Sequence, residues 1–285
     1  MIADLHTHSN ASDGTETPTE LLRSAAAAGL DVVALTDHDT TRGWDEAVGA
    51  LGGLGAPLQL VLGAEISCVI DGVNLHLLAY LFDRTHAELT TEMANALDDR
   101  IPRAKAIVGK LADAGHPISW ESVMAQVGDG ATVGRPHIAD ALVAAGVVPD
   151  RAGAFDELLH DGSPFFVGHY YVDALKAVRM VREAGGVPVF AHPAASKRGE
   201  IVSDAAIVAM AEAGLAGLEV DHRDNPTEAR ERLRGLAKEL DLLVTGASDY
   251  HGTGKENRLG ENTTDPEVVK ALLAQASGVT QVLHG

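Results

Sequence analysis

The stretch Ile2–Asp39, IADLHTHSNASDGTETPTELLRSAAAAGLDVVALTDHD, reads as strand, loop, helix and strand in that order. Ile2–His6 opens as a strand. Thr17 is placed to cap a helix: Pro18 suits the first helical position, Glu20 completes a T-x-x-E capping box, and Gly29 stops the helix. Asp31–Asp39 starts as an apolar strand and ends in polar residues. Two strands joined through a helix form the repeating unit of an α/β fold with a largely parallel sheet. Both strands also finish in side chains that bind metals: His6 and His8 on the first, Asp37, His38 and Asp39 on the second.

The alternation continues outward from this unit. LQLVLGAEIS (58–67) is a third strand. Asp71-Gly72 marks a two-residue hairpin turn inside AEISCVIDGVNLHLLAY, so two antiparallel strands flank it. A tight turn pairs Ile70 with Val73 and Ser67 with His76, which puts His76 on the same sheet face as Ser67 and Glu65. From Asp98 to Phe166 the strand signal stops, and short helical pieces (104–115, 119–127, 134–146) follow one another with Gly and Pro between them. This segment, 98–166, is expected to be a helical insertion into a domain made of 1–97 and 167–285. After it come the strands VPVFAHP, LAGLEVDH and LLVTGASDYHG, each preceded by a helical stretch, and a last helix over Pro266–Ala276.

Composition bounds the function. The 285 residues are 46% hydrophobic but only 4% aromatic, enough for a large aliphatic core. The single cysteine, Cys68, rules out an internal disulfide and suits a reducing compartment. MIADLH has neither a charged n-region nor an apolar h-region, so no signal peptide is expected, and no apolar run approaches the roughly 20 residues of a membrane span. A cytoplasmic protein without a membrane partner is expected. Forty-one acidic residues against 22 basic ones give a net charge of −19, which argues against binding long duplex nucleic acid.

Alone, His6-x-His8 is a short motif with a plain alternative, two solvent-facing imidazoles at a strand end. Repetition decides between the readings. Asp37, His38 and Asp39 end the second strand, Glu65 the third, His192 a later one; Glu219, Asp221 and His222 end the next, and Asp249 and His251 the last. The C-terminal edge of parallel strands is where α/β sites form, since loops from several strands meet there. Imidazoles mixed with carboxylates and no thiolate suit Mn²⁺, Fe²⁺ or Zn²⁺. The donors are too many for one ion, which points to a multinuclear centre of the kind that activates water and clamps phosphorus in an in-line displacement. His222 is placed to contact substrate or to protonate a leaving oxygen. Asp37 and Asp39 are expected to orient His38. Lys255 and Arg258 read as solvated loop charges, and Cys68 as a core residue. His86, His116, His160, His169 and His284 fall away from the strand edge.

DLHTHSNASDGT, ALTDHDT, GAEIS, LHLLAY, GGVPVFAHP and GASDYHG together resemble the PHP superfamily, named for polymerase and histidinol phosphatase domains, over nearly the whole chain. GRPHIADALV resembles the branch containing nucleoside 3′,5′-bisphosphate phosphatases and 5′–3′ exoribonucleases. The resemblance implies a distorted seven-stranded β/α barrel with three divalent ions (Mn, Fe or Zn). It implies one ion on His6, His8, Glu65 and Asp249; a second on Glu65, His76 and His192; and a third on Asp13, His38 and His251. It makes Arg135 and His137 a phosphate-binding pair, which with His192 and His222 form the catalytic set. The implied activity is hydrolysis of nucleotide phosphate esters, or of short 5′-phosphorylated single-stranded RNA, by a metal-bridging hydroxide. Two rivals are a C–N hydrolase of amidohydrolase type and a non-catalytic metal- or nucleotide-binding module. No lysine placed for carbamylation ends a strand, and the sequence shows no polymerase-like segment, so neither rival is expected.

Overall fold

The computed structural model describes residues 1–128, 133–160, 162–168 and 170–285, so His169 lies outside the described residues. Its strands are β1 (Ala3–Thr7), β2 (Val32–Leu35), β3 (Gln59–Ile70), β4 (Val73–Tyr80), β5 (Val172–Asp173), β6 (Val187–Phe190), β7 (Gly217–Asp221), β8 (Leu243–Gly246) and β9 (Leu283–His284). Seven of them follow one another in the order β1-β2-β3-β4-β6-β7-β8, and the two-residue strands β5 and β9 both pair with β3. The outer members of that path approach each other through a parallel bridge between Thr7 and Tyr250, and the His8 N–H donates to the Tyr250 carbonyl at 2.8 Å. The seven strands therefore make a nearly closed barrel. β1, β2 and β3 are parallel, as are β6, β7 and β8; β4 runs against both its neighbours.

β4 enters through the Asp71-Gly72 hairpin, where both residues take positive φ (52° and 81°), as such a turn requires. Its register pairs Ile70 with Val73 and Ser67 with His76, as the turn predicts. β3 is 12 residues long and runs past Glu65 rather than ending there. Gln59–Leu62 pair with β2 and Gly63–Ile70 with β4, so Glu65 sits just beyond the point where the strand changes partner.

The helices are α1 (Pro18–Ala27), α2 (Trp44–Leu51), α3 (Ala87–Asp113), α4 (Trp120–Met124), α5 (Arg135–Ala144), α6 (Arg151–Ala154), α7 (Ala174–Glu183), α8 (Asp204–Glu212), α9 (Thr227–Glu239) and α10 (Pro266–Leu273). The α1 capping box forms: Glu20 N–H donates to Thr17 Oγ1 at 3.2 Å, and Thr17 N–H to Glu20 Oε2 at 2.9 Å. One sheet face packs on the helices, through residues such as Val33, Leu35, Leu60, Leu62, Leu21, Leu22, Val178, Met210 and Leu233. The other gathers Val32, Ala34, Val61, Leu78, Tyr80 and Val189, with Val269 and Leu272 of α10. Residues an even number apart on a strand share a face, so Glu65 lies with Val61, and His76 with Leu78 and Tyr80.

The chain divides into two compact units, Met1–Ala94 with Tyr171–Gly285, and Asn95–Tyr170. The barrel is the first. The second is held by its own apolar cluster, including Ile107, Leu111, Val123, Ile138, Leu142 and Leu159. The helical piece expected over 104–115 is part of a longer element: α3 is a 27-residue helix with Pro102 inside it. Apolar residues on both sides of the proline explain this. Leu89 and Met93 belong to the barrel core and Ala104, Ile107, Val108 and Leu111 to the second core, and burying them offsets the backbone bond that proline removes. Among the described residues no helix is long and apolar enough to cross a membrane.

Candidate metal centre

β1 delivers His6 and His8 from a strand whose residues are all buried. The loop after it turns back on itself, so that Gly14 lies against His8: a Cβ at Gly14 would stand 2.5 Å from the His8 carbonyl oxygen. This return carries Asp13 to the same place. His38 leaves β2 and bridges in parallel fashion to Glu65. His192 follows β6, His222 follows β7, and Asp249 and His251 follow β8. Three of these loops hold a non-glycine residue at positive φ, namely Asp39 (52°), His192 (32°) and Asp249 (54°), a conformation that surrounding structure must enforce.

Glu65 is the hub. Its Oε2 lies 3.1 Å from His6 Nε2, 3.1 Å from His8 Nε2 and 3.3 Å from His38 Nδ1. Its Oε1 lies 2.7 Å from His76 Nδ1 and 3.2 Å from His192 Nε2. Asp249 Oδ1 adds contacts of 3.4 and 3.3 Å to His6 and His8. Asp13 lies 3.2 Å from His251 Nε2 and 3.9 Å from His38 Nε2. The structure thus brings all nine expected ligands together within the barrel unit. Three donor groups emerge, each with its ligand atoms within 4.8 Å of one another: His6, His8, Glu65 and Asp249; His38, Glu65 and His76; and His8, Asp13, His38 and His251. His8 and His38 thus stand in two groups each. His192 reaches the centre through Glu65. His6 and His8 are fully buried, while the His76 side chain, 29% exposed, forms the open rim.

The donor set fits divalent cations. His38 Nδ1, Glu65 Oε2, His76 Nδ1, His222 Nε2 and His251 Nε2 are buried and make no hydrogen bond. Such orphaned groups are costly unless something else satisfies them, and imidazole with carboxylate is the ligand mixture of Mn²⁺, Fe²⁺ and Zn²⁺. Protonation follows position. Burial lowers His38 to about 3 and His251 to about 4, leaving both imidazoles neutral. Burial also opposes charge on His8, but Asp249 and Glu65 overcome it and raise His8 to about 9. At His6 burial is likewise outweighed, by Glu65, Glu219 and Asp249, and its pKa rises well above the usual histidine range. Burial works to raise Glu65, but His38, His6 and His76 hold it well below the carboxylate norm.

Behind the ligands stand three buried aspartates that fasten the loops. Asp37 accepts from Ser9 N–H and Ser9 Oγ at 2.8 and 2.7 Å and from Ser12 Oγ at 2.6 Å, fixing the loop that carries Asp13. Asp39 accepts from Ser67 N–H and Oγ, both at 2.8 Å, beside Glu65 and opposite His76. Asp4 accepts from Ser248 N–H and Gly260 N–H at 3.0 and 2.9 Å, holding the loop of Asp249 and His251. These bonds of Asp37 and Asp39 reach the loop after β1 and strand β3. Ser9 and Ser12 are acceptor-bound anchors as well as turn residues.

His222 is buried, with Nδ1 accepting from Asp224 N–H at 3.1 Å and Nε2 lying 3.7 Å from Asp249 Oδ2. Lys255 is not a solvated loop charge: its Nζ pairs with Asp249 Oδ2 at 2.9 Å. Asp221, expected at the same edge, instead pairs with Arg234 of α9. Arg135 and His137 open α5 in the second unit. There Arg135 donates to the Leu159 carbonyl at 3.0 Å, and His137 Nδ1 accepts from Gly134 N–H at 3.1 Å. Glu219, named in the sequence only as a strand-end carboxylate, is fully buried behind His6.

A nearly closed α/β barrel with histidines and carboxylates gathered around one shared glutamate has the architecture of a metal-dependent hydrolase. Comparison with known proteins narrows the class. The PHP domain profile matches residues 4–112. A 5′-3′ exoribonuclease of Haemophilus influenzae is 36% identical over 91% of this chain and 93% of its own. A 3′,5′-nucleoside bisphosphate phosphatase of Chromobacterium violaceum is 30% identical over 92% and 91%. A crystal structure from Bifidobacterium adolescentis, assigned as a metal-dependent phosphoesterase, superposes with a TM-score of 0.91 at 45% identity, covering 96% of each chain. The chain belongs to the PHP family and is a metal-dependent phosphoesterase, an enzyme that hydrolyses phosphoric esters.

Proposed function

We propose that the enzyme hydrolyses phosphate esters of nucleotides, taking nucleoside 3′,5′-bisphosphates or short 5′-phosphorylated oligoribonucleotides, at a centre of three divalent ions. The observation that carries this reading is the sharing of Glu65 between His6, His8 and Asp249 on one side and His76 and His192 on the other, with Asp13, His38 and His251 as a third set beside them. The kind of substrate is supported by the activities named for relatives at 36% and 30% identity.

When bound, the ions would acidify an attacking water and neutralise charge on the phosphoryl oxygens. The chain's own groups do the rest. His222 accepts at Nδ1 from Asp224 N–H, so its neutral ring carries the proton on Nε2, facing the cluster. From there it donates to a phosphoryl oxygen or protonates the leaving oxygen. Arg135 and His137 are proposed to bind phosphate, on the strength of the GRPH motif; a guanidinium can grip two phosphate oxygens in parallel. The net charge of −19 favours small anionic substrates over extended duplexes.

The test is one panel with added Mn²⁺: adenosine 3′,5′-bisphosphate, 5′-AMP, 3′-AMP and 5′-phosphorylated di- to pentanucleotides. Release of phosphate from the bisphosphate, or stepwise release of 5′-mononucleotides, is the expected result. Turnover of none of these, or turnover that persists after exhaustive chelation and in His38→Ala, would contradict the reading.

A further inference from the structure

We infer that Glu219 is a positioning residue that sets the ring of His6 and the backbone of His192 together, and so couples two histidines that face Glu65 from different sides. The inference rests on the reading of the cluster as a metal centre. Glu219 lies on β7 and is fully buried. Its Oε1 accepts from His6 Nδ1 at 2.9 Å, and its Oε2 accepts from the His192 backbone N–H at 2.8 Å. Both carboxylate oxygens are thus committed, and both serve residues that face Glu65 from different sides: His6 Nε2 at Oε2, His192 Nε2 at Oε1.

The bond to His6 decides which nitrogen can be a ligand. With the proton held on Nδ1 by Glu219, Nε2 keeps its lone pair toward Glu65, His8 and Asp249. The bond to His192 has a different task. His192 sits at φ 32°, in the left-handed region that a residue with a side chain adopts only when held. An acceptor on its N–H is one of the groups holding it there.

Only a carboxylate can do both. The site presents two donors, and a carboxylate offers two acceptors, whereas a glutamine offers one acceptor and one donor. If the Glu219→Gln amide oxygen faces His6, its NH₂ meets the His192 N–H and that bond is lost. If the amide turns over, its NH₂ donates to His6 Nδ1, the ring proton moves to Nε2, and the ligand nitrogen is blocked. Either orientation loosens one of the two histidines that face Glu65. The Glu219 carboxylate bonds go to His6 and His192, so the Asp13, His38 and His251 set should be spared.

The experiment is chelator competition on the purified, metal-loaded enzyme, with ions counted by mass spectrometry at each chelator concentration. It is paired with NMR of the His6 ring in the Zn²⁺-loaded protein, the signal being identified by its loss in His6→Gln. In wild type, His6 should show a proton on Nδ1 shifted strongly downfield. Glu219→Gln should lose part of its metal at about 10–100-fold lower chelator strength. The remaining metal should leave as in wild type, and the His6 Nδ1 proton signal should shift or vanish. Should Glu219→Gln not fold, Glu219→Asp reads the same property: its carboxylate retreats by one methylene and cannot span both donors, so the same metal is released earlier. Wild-type release profiles with an unchanged His6 signal in the folded variant would overturn this inference alone. A wild-type enzyme that retains no divalent ion would overturn the metal-centre reading beneath it.

Discussion

His251 donates from Nδ1 to the carbonyl of Asp249 at 2.8 Å, which leaves Nε2 for Asp13, 3.2 Å away. His6 is turned by Glu219 in the same manner. Such backing bonds were only partly legible in the sequence. Strand-end position singles out the clustered histidines and carboxylates, because a donor must reach the edge where loops meet. It does not separate Glu219, which supports, from Glu65, which faces five imidazoles; both are strand glutamates with apolar neighbours. Nor does it reveal that Asp221 turns to Arg234 or that Lys255 turns in to Asp249, since both outcomes depend on loop paths. The protonation pattern gives a direct prediction. In chelator-stripped protein at about pH 7, His6 and His8 carry protons because their pKa values lie above that pH, whereas His38 and His251, at about 3 and 4, do not. Ligands must be deprotonated, so Mn²⁺ binding should expel protons from His6 and His8. Calorimetry in buffers of different ionisation enthalpy should report that release, and it should diminish as pH rises through about 9, where His8 loses its proton unaided. Proton-neutral binding near pH 7 would contradict the assignment.

At the scale of elements, the first βαβ unit separates stability from function. The capping box of α1 was readable because it depends on four consecutive residues, Thr17 to Glu20. Thr17→Ala should cost about 1 kcal/mol of stability, seen in a denaturant melt, with turnover unchanged. Gly14 lies three residues earlier and should behave in the opposite way. A Cβ there would stand 2.5 Å from a backbone oxygen of His8, with nothing flexible to yield, so the loop must move and take Asp13 with it. Gly14→Ala should abolish most turnover and weaken binding of one ion; wild-type metal content and activity would refute this account of the loop. The hairpin register was equally readable, since Asp71-Gly72 admits a tight turn and the turn fixes every pair behind it. The length of α3 was not. The sequence shows a helical piece only from Ala104, and the two cores on either side of Pro102 show why the helix begins as early as Ala87.

Over the whole molecule, six of the seven main strands and their common direction follow from apolar runs alternating with helical stretches, and the antiparallel β4 follows from the Asp71-Gly72 turn. The strands β5 and β9, two residues each, are too short for any periodicity to announce. The nearly closed barrel places strands and loops distant in sequence around Glu65: His6, His38, His76, His192 and Asp249 converge there. A site assembled from so many segments holds like charges in a buried space, and cations that bind only the folded chain should stabilise it. Glu65 is the carboxylate on which the proposed metal centre depends, and Glu65→Gln keeps its shape while removing its charge. The decisive measurement is bound metal and phosphate release from adenosine 3′,5′-bisphosphate in Glu65→Gln beside wild type, both verified as folded by circular dichroism. The predicted result is a folded variant that loses most of its bound divalent metal and at least about 100-fold of its turnover. A folded Glu65→Gln that retains wild-type metal content and wild-type turnover would contradict the account.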